Sequence, residues 1–160
     1  MFKKMNLDEV KFYIRHTSPE TRIYIGVDSE RILVNDVWHA DYTTAVVVHK
    51  DGNNGCRIFG EISRERDFDK KQNRPSFRLM NEVYKASEIY LELFECFDER
   101  HVEVHLDINP DEMHGSSCVL SQAIGYIRGT CNVIPMVKPN AFAASYAADR
   151  LKEVLGRRVA

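Results

Sequence analysis

DYTTAVVVHK (41–50) and CRIFGEI (56–62) are two β-branched, apolar runs separated only by DGNNG (51–55). A connection this short, built from residues that tolerate positive φ, favours an antiparallel hairpin. RIYIGVD (22–28) precedes them and reads as a buried strand with a carboxylate at its C-terminal end. Together the three runs predict an antiparallel meander. SERILVNDVWHA (29–40) lies between the first two and either extends the second strand or forms an excursion.

Helical spacing takes over after the meander. Asn6 followed by Glu9 has the pattern of a capping box and predicts a short helix over 7–15. RERDFDKKQNRP (64–75) carries five basic and three acidic residues without apolar periodicity and reads as a surface loop. From Ser76, a candidate N-cap, to Phe97, the apolar residues Met80, Val83, Leu91 and Phe94 define one face of a long helix. HVEVHLDI (101–108) is a strand. A helix from Ser116 to Arg128, closed by Gly129, follows. NVIPMVK (132–138) is a strand weakened toward an edge by Pro135, and 141–155 is a last helix with Asn140 as its candidate cap.

This order predicts an α/β fold: a mixed five-stranded sheet, antiparallel meander plus parallel crossovers, flanked by helices. At 160 residues the chain is expected to form a single domain over 1–160, with residues 1–18 as an appended N-terminal helix. No apolar run approaches the roughly 20 residues of a membrane span. MFKKMNLDEVKFYIRH shows no secretory h-region, so a cytoplasmic location is expected. The four cysteines are widely spaced with no CxxC pair, which argues against a zinc knuckle. A formal charge of −2 disfavours a surface that is a nucleic-acid footprint throughout.

If the 101–108 strand lies parallel to and beside the 22–28 strand, Asp28 and Asp107 come together at their carboxyl ends, where ligands bind in such sheets. Two adjacent carboxylates repel unless a cation bridges them or one keeps a proton. A hard divalent ion, Mg2+ or Mn2+, resolves the repulsion and suits phosphoryl chemistry. Each Asp could instead simply cap a turn. A calcium loop starting at Asp107 fails, because Glu112 stands where an EF-hand needs glycine and Cys118 where it needs Glu.

DINPDEMHGSSCVLSQAIGYIRG (107–129), KPNAFAASYAADRL (138–151) and YIGVDSE (24–30) together resemble the YkuK-like family, which is grouped with the ribonuclease H-like superfamily. The resemblance spans roughly residues 20 to 155. It implies a ribonuclease H-like sheet and two magnesium ions held by four carboxylates: one on the first strand, one on the first long helix, one ending the fourth strand and one near the final helix. Asp28 and Asp107 match the strand positions, and Asp149 matches the last. For the helical position Glu82 is preferred over Glu88, although both also have the spacing of surface ion pairs, with Arg78 and Lys85. AADRL also resembles the closing helix of RuvC-type resolvases, where a further acid lies three residues earlier; here that residue is Tyr146.

His114 and Lys138 are candidate proton shuttle and phosphate contact if the 109–115 loop covers the site. The expected activity is metal-dependent phosphodiester hydrolysis on nucleic acid of unspecified type. The competing expectation is a catalytically silent nucleic-acid- or protein-binding module, and a phosphatase or phosphotransferase acting on a small substrate is a third. Phe68 is the only aromatic residue in the basic loop, so single-strand recognition is not indicated by the linear sequence. Homodimerisation is left open.

Overall fold

In the computed structural model, which describes residues 3–52, 54–70 and 74–159, and side chains only as far as residue 155, the meander is longer than its apolar runs. Strand β1 spans Arg22–Val34, β2 Val37–His49 and β3 Cys56–Arg66. The ambiguous 29–40 stretch is therefore neither a one-sided extension nor an excursion. Both strands run on to a two-residue turn at Asn35 and Asp36, which have φ of 48° and 61°. Positive φ at both central residues matches the right-handed twist of the flanking strands, and Asn and Asp tolerate it well.

Helix α1 (Leu7–Arg15) begins as expected, with the Asn6 side chain accepting from the Glu9 amide at 3.2 Å. Helix α2 covers Ser76–Leu93 and continues as a 3-10 turn to Cys96. Its start departs from the sequence reading. Ser76 makes no capping bond; Asp69, seven residues upstream, accepts from the Phe77 and Arg78 amides at 2.8 and 2.9 Å. A remote carboxylate thus satisfies two amides that the helix leaves open and complements its dipole.

Strand β4 (His101–Leu106) adds to the far side of β1, giving the order β3-β2-β1-β4 with β1 and β4 parallel. The sheet has four strands, not five. The 132–138 segment makes a single parallel bridge, Met136 to His105, although Met136 exchanges backbone bonds of 2.8 Å with Val104 and Leu106. The next amide on that side, of Lys138, goes to the Ile108 carbonyl at 3.0 Å, beyond the end of β4, so no ladder forms. Helix α3 (Leu120–Cys131) follows a 3-10 turn over Gly115–Val119 and passes through Gly129 to end at Asn132, with φ 58°. Asn supplies the left-handed cap that Gly129 was expected to supply.

One face of the sheet packs Ile23, Ile25 and Val27 against residues of α1, α2 and α3, including Val10, Val83 and Ile127. The other face presents Tyr24, Ala45, Val47 and Ile62 to Ala143, Ala147, Leu151 and Leu155. The last helix begins as a five-residue π turn over Ala143–Ala147 and becomes α-helical as α4 only at Ala148 (Ala148–Val159). Asn140 does not cap it; the Ala144 and Ser145 amides bond to the Ala141 carbonyl. Gly26 on β1 receives the backbone of this π turn so closely that an added Cβ would overlap Ala143 and the Ala144 nitrogen. Replacing Gly26 with Ala is expected to destabilise the protein by roughly 1–3 kcal/mol or more, as overpacking of a closed contact does. A urea midpoint equal to that of the wild type would show that the contact can yield.

Candidate functional site

The β1–β4 ladder ends at Val27 and Leu106, so the next residues, Asp28 and Asp107, emerge side by side. Asp28 is not at the end of its own strand, because β1 continues beside β2 to Val34. It stands where β4 leaves. Its side chain is 16% exposed. Burial, followed by repulsion from Asp107, pushes its carboxyl up to about 7, and in protonated form it donates to Asp107. Burial and the neighbouring carboxylate thus both favour the protonated form of Asp28.

Two lysines stand against this pair. Lys138 Nζ lies 2.8 Å from Asp107 Oδ1, and that contact holds the ammonium above its ordinary value. Lys152 Nζ lies 3.4 Å from Asp28, 3.6 Å from Glu30 and 3.5 Å from Asp149. Burial pulls the Lys152 ammonium down, but the three acids outweigh it and keep it raised. Ser145, in the π turn, donates to Asp107 at 3.3 Å.

Glu82 approaches from α2, on the face to which Ser29 points. It is 3% exposed and accepts from the Ser29 hydroxyl at 2.5 Å, while Arg78 Nη1 donates to the Ser29 hydroxyl and carbonyl at 2.8 and 2.9 Å. Burial raises the Glu82 carboxyl well above the usual carboxylate range; Asp28 and Asp107 add to the rise, and Ser29 and Arg78 oppose it. Asp149 lies in the first turn of α4, directly after the π turn, with its side chain 63% exposed beside Lys152. Glu88 is exposed on α2. His114 is exposed on the connection before α3, near Arg74, Glu112 and Cys118, and no hydrogen bond joins its ring to Asp28 or Asp107 among the described residues.

The arrangement brings together Asp28, Asp107 and Lys138, sets Glu82 and Asp149 at its edges, and leaves His114 apart. The linear reading missed Ser145 and Lys152. Their signal was present: Ser145, Asp149 and Lys152 stand at i, i+4 and i+7, the spacing of one helical stripe. His105 on β4 is 1% exposed; its Nδ1 accepts from the Ala143 amide at 3.1 Å, which ties the π turn to β4. Burial lowers its pKa and favours the neutral ring that this acceptor role requires.

Two carboxylates in contact form an all-oxygen donor set that suits one hard divalent ion. Thr43, the β2 partner of Asp28, is fully buried, and its hydroxyl has no hydrogen-bond partner among the described residues, so polar capacity remains beside the pair. Among the described residues, no three His, Cys, Asp or Glu side chains converge into a metal-holding group. The pair therefore fits a single ion better than a preassembled four-carboxylate centre.

A family model described as ribonuclease H-like matches residues 5–153. The chain belongs to the ribonuclease H-like family. The match agrees with the YkuK-like resemblance and with the mixed α/β sheet. No curated protein and no solved structure shows a match to it. Among the described residues, no helix is long and apolar enough to cross a membrane.

The raised Asp28 carboxyl sets a pH dependence. Asp28 titrates near 3.8 in an unfolded chain and near 7 in the fold. Between those values the folded state holds a proton that the unfolded chain has released, so stability falls as pH rises through the window, by a few kcal/mol at most. In EDTA, the urea midpoint is expected to fall from pH 4 to 7, and Asp28→Asn should flatten the part of the slope that Asp28 contributes. An unaltered slope in the variant would assign the titration to other groups.

Proposed function

We propose that this ribonuclease H-like domain is a divalent-metal-dependent phosphodiesterase acting on nucleic acid. The observation that carries the reading is the contact between Asp28 and Asp107 at the point where parallel strands β1 and β4 part. Asp28 and Asp107 would hold Mg2+ or Mn2+, with Glu82 and Asp149 flanking them. When bound, such an ion activates water and screens the phosphodiester charge.

The chain's own groups support the rest of the chemistry. Lys138 is 43% exposed at the end of its side chain and borders a cavity of about 500 Å3 with Asn109, Asp111, Ser145 and Tyr146. There it can leave Asp107 for a substrate phosphate as a cation takes its place. Ser145 holds one Asp107 oxygen and so limits rotation of that carboxylate. Lys152 keeps Asp28, Glu30 and Asp149 oriented toward one point. Glu82, held by Ser29, keeps its proton more readily than an exposed carboxylate.

A second reading, a binding module that keeps the fold without catalysis, is favoured by one observation. Lys138 and Lys152 already compensate the acids as a metal would. Calorimetric titration with Mn2+ separates the two. The nuclease reading expects binding that Asp28→Asn and Asp107→Asn each abolish, together with hydrolysis in a panel of hybrid, single-stranded and branched substrates. Absence of metal binding by the wild type would leave the silent module, and cleavage of free nucleotides alone would point to a small-substrate phosphatase.

A further inference from the structure

Single-strand recognition was not indicated while Phe68 was the only aromatic in the basic loop, but the fold supplies it with neighbours. Phe77, from the first turn of α2, meets Phe68 edge-on with ring centroids 5.4 Å apart. Trp38, from the β1–β2 hairpin, joins the same region through its carbonyl, which accepts from the Asp67 amide at 2.9 Å. Arg31 stacks over the Trp38 ring at 4.2 Å and bonds Asp67 at 2.7 Å and the Asp69 carbonyl at 3.1 Å. Trp38, Phe68 and Phe77 are 40%, 58% and 39% exposed. Three apolar rings held this far out of the core are a surface feature, since no interior packing requires their exposure.

The charges around them are sorted by sign. Asp67 is buried against Arg31, and Asp69 is used up by the two α2 amides. Glu65 pairs with Lys85, and Asp41 with Arg64. Lys70 and Arg74 make no ion pair among the described residues, and Arg66 lies 5.2 Å above the Phe68 ring. Lys70 and Arg74 line a groove of about 410 Å3 together with Phe68, Phe77, Ser76 and Asp69, the carboxylate of Asp69 being bonded to the α2 amides. Of the acids in this region Asp36, at the hairpin tip, and Asp69, whose carboxylate meets only neutral amides, have no ion-pair partner among the described residues.

We infer that this aromatic and cationic patch is a binding platform for single-stranded nucleic acid, with bases stacking on Phe68, Phe77 and Trp38 and phosphates meeting Arg66, Lys70 and Arg74. Stacking platforms beside basic grooves bind single strands because every base has a π face that a duplex hides. The position fits the catalytic reading, on which this inference rests for its meaning. Arg31 is three residues along β1 from Asp28, about 10 Å at the rise of a strand, or roughly three bases of a stacked strand. Arg78, next to Phe77, bonds Ser29 directly. Ser29 and Arg31 face α2 while Asp28 faces α4, so a strand on the platform reaches the Asp28–Asp107 pair only by crossing the edge of β1 that β4 leaves open beyond Val27.

Trp38 is the single tryptophan of the chain, so its fluorescence reports on the patch alone. In EDTA, titration with oligo(dT) or oligo(U) should quench Trp38 and raise the anisotropy of labelled oligonucleotide in parallel, with a duplex of equal length binding more weakly. Phe68→Ala with Phe77→Ala should weaken single-strand binding about tenfold or more. Lys70→Glu with Arg74→Glu should weaken it and flatten its salt dependence. The charge variant changes exposed side chains only, so it decides the matter even if the aromatic variant folds poorly.

Wild-type affinity in both double variants, binding without Trp38 quenching, a preference for duplex, or no binding by the wild type would each overturn the platform. So would a dimer in sedimentation that dissociates in the aromatic variant, because the patch would then be an interface between copies. If binding stands but no metal supports cleavage, the nuclease reading falls and the platform survives. If cleavage of single strands proceeds with an unchanged KM in both double variants, the platform falls alone.

Discussion

Repulsion between Asp28 and Asp107 is the constraint around which the neighbouring structure is arranged. Parallel pairing of β1 with β4 leaves no other direction for the two carboxyls, since their strands separate immediately before them. The fold answers with a proton held on Asp28 and with two lysines from different segments, one in the 132–138 stretch and one on α4. Proton and ammonium groups together offset the charge that the strand geometry brings to one point.

The closing segment depends on that balance and on a contact beneath it. Gly26 lets the π turn lie directly on β1, and His105 fixes the turn through the Ala143 amide. The wide π turn inserts an extra residue into the helical count, so that Ser145 reaches Asp107 while Lys152, two turns later, reaches Asp28. π turns of this kind occur mainly at functional sites, where they re-aim side chains that a regular helix would carry past.

Much of this was legible before any coordinates. The meander, the parallel return of β4 and the adjacency of Asp28 and Asp107 follow from strand-length apolar runs, the DGNNG turn and crossover rules. The 29–40 stretch was opaque because its strands leave the core, and exposed strands lose the alternation that burial imposes. The fifth strand was over-read because an apolar run with one proline supports a bridge as well as a strand. The cap of α2 was invisible for a different reason: Asp69 acts across seven residues, beyond the window in which capping motifs repeat. Lys152 lay in plain view, yet only tertiary packing shows that its stripe faces β1.

Sequence composition also conceals how charge is distributed. The 64–75 stretch has five bases and three acids when its residues are counted, but Asp67 is turned inward to the Arg31 guanidinium and Asp69 to helix amides. Arg66, Lys70 and Arg74 are left exposed. A protein with a formal charge of −2 therefore carries three exposed cations beside its aromatic patch. Such sorting gives the molecule a polarity: an approaching polyanion is turned toward one side before any contact forms, by torque rather than by net attraction.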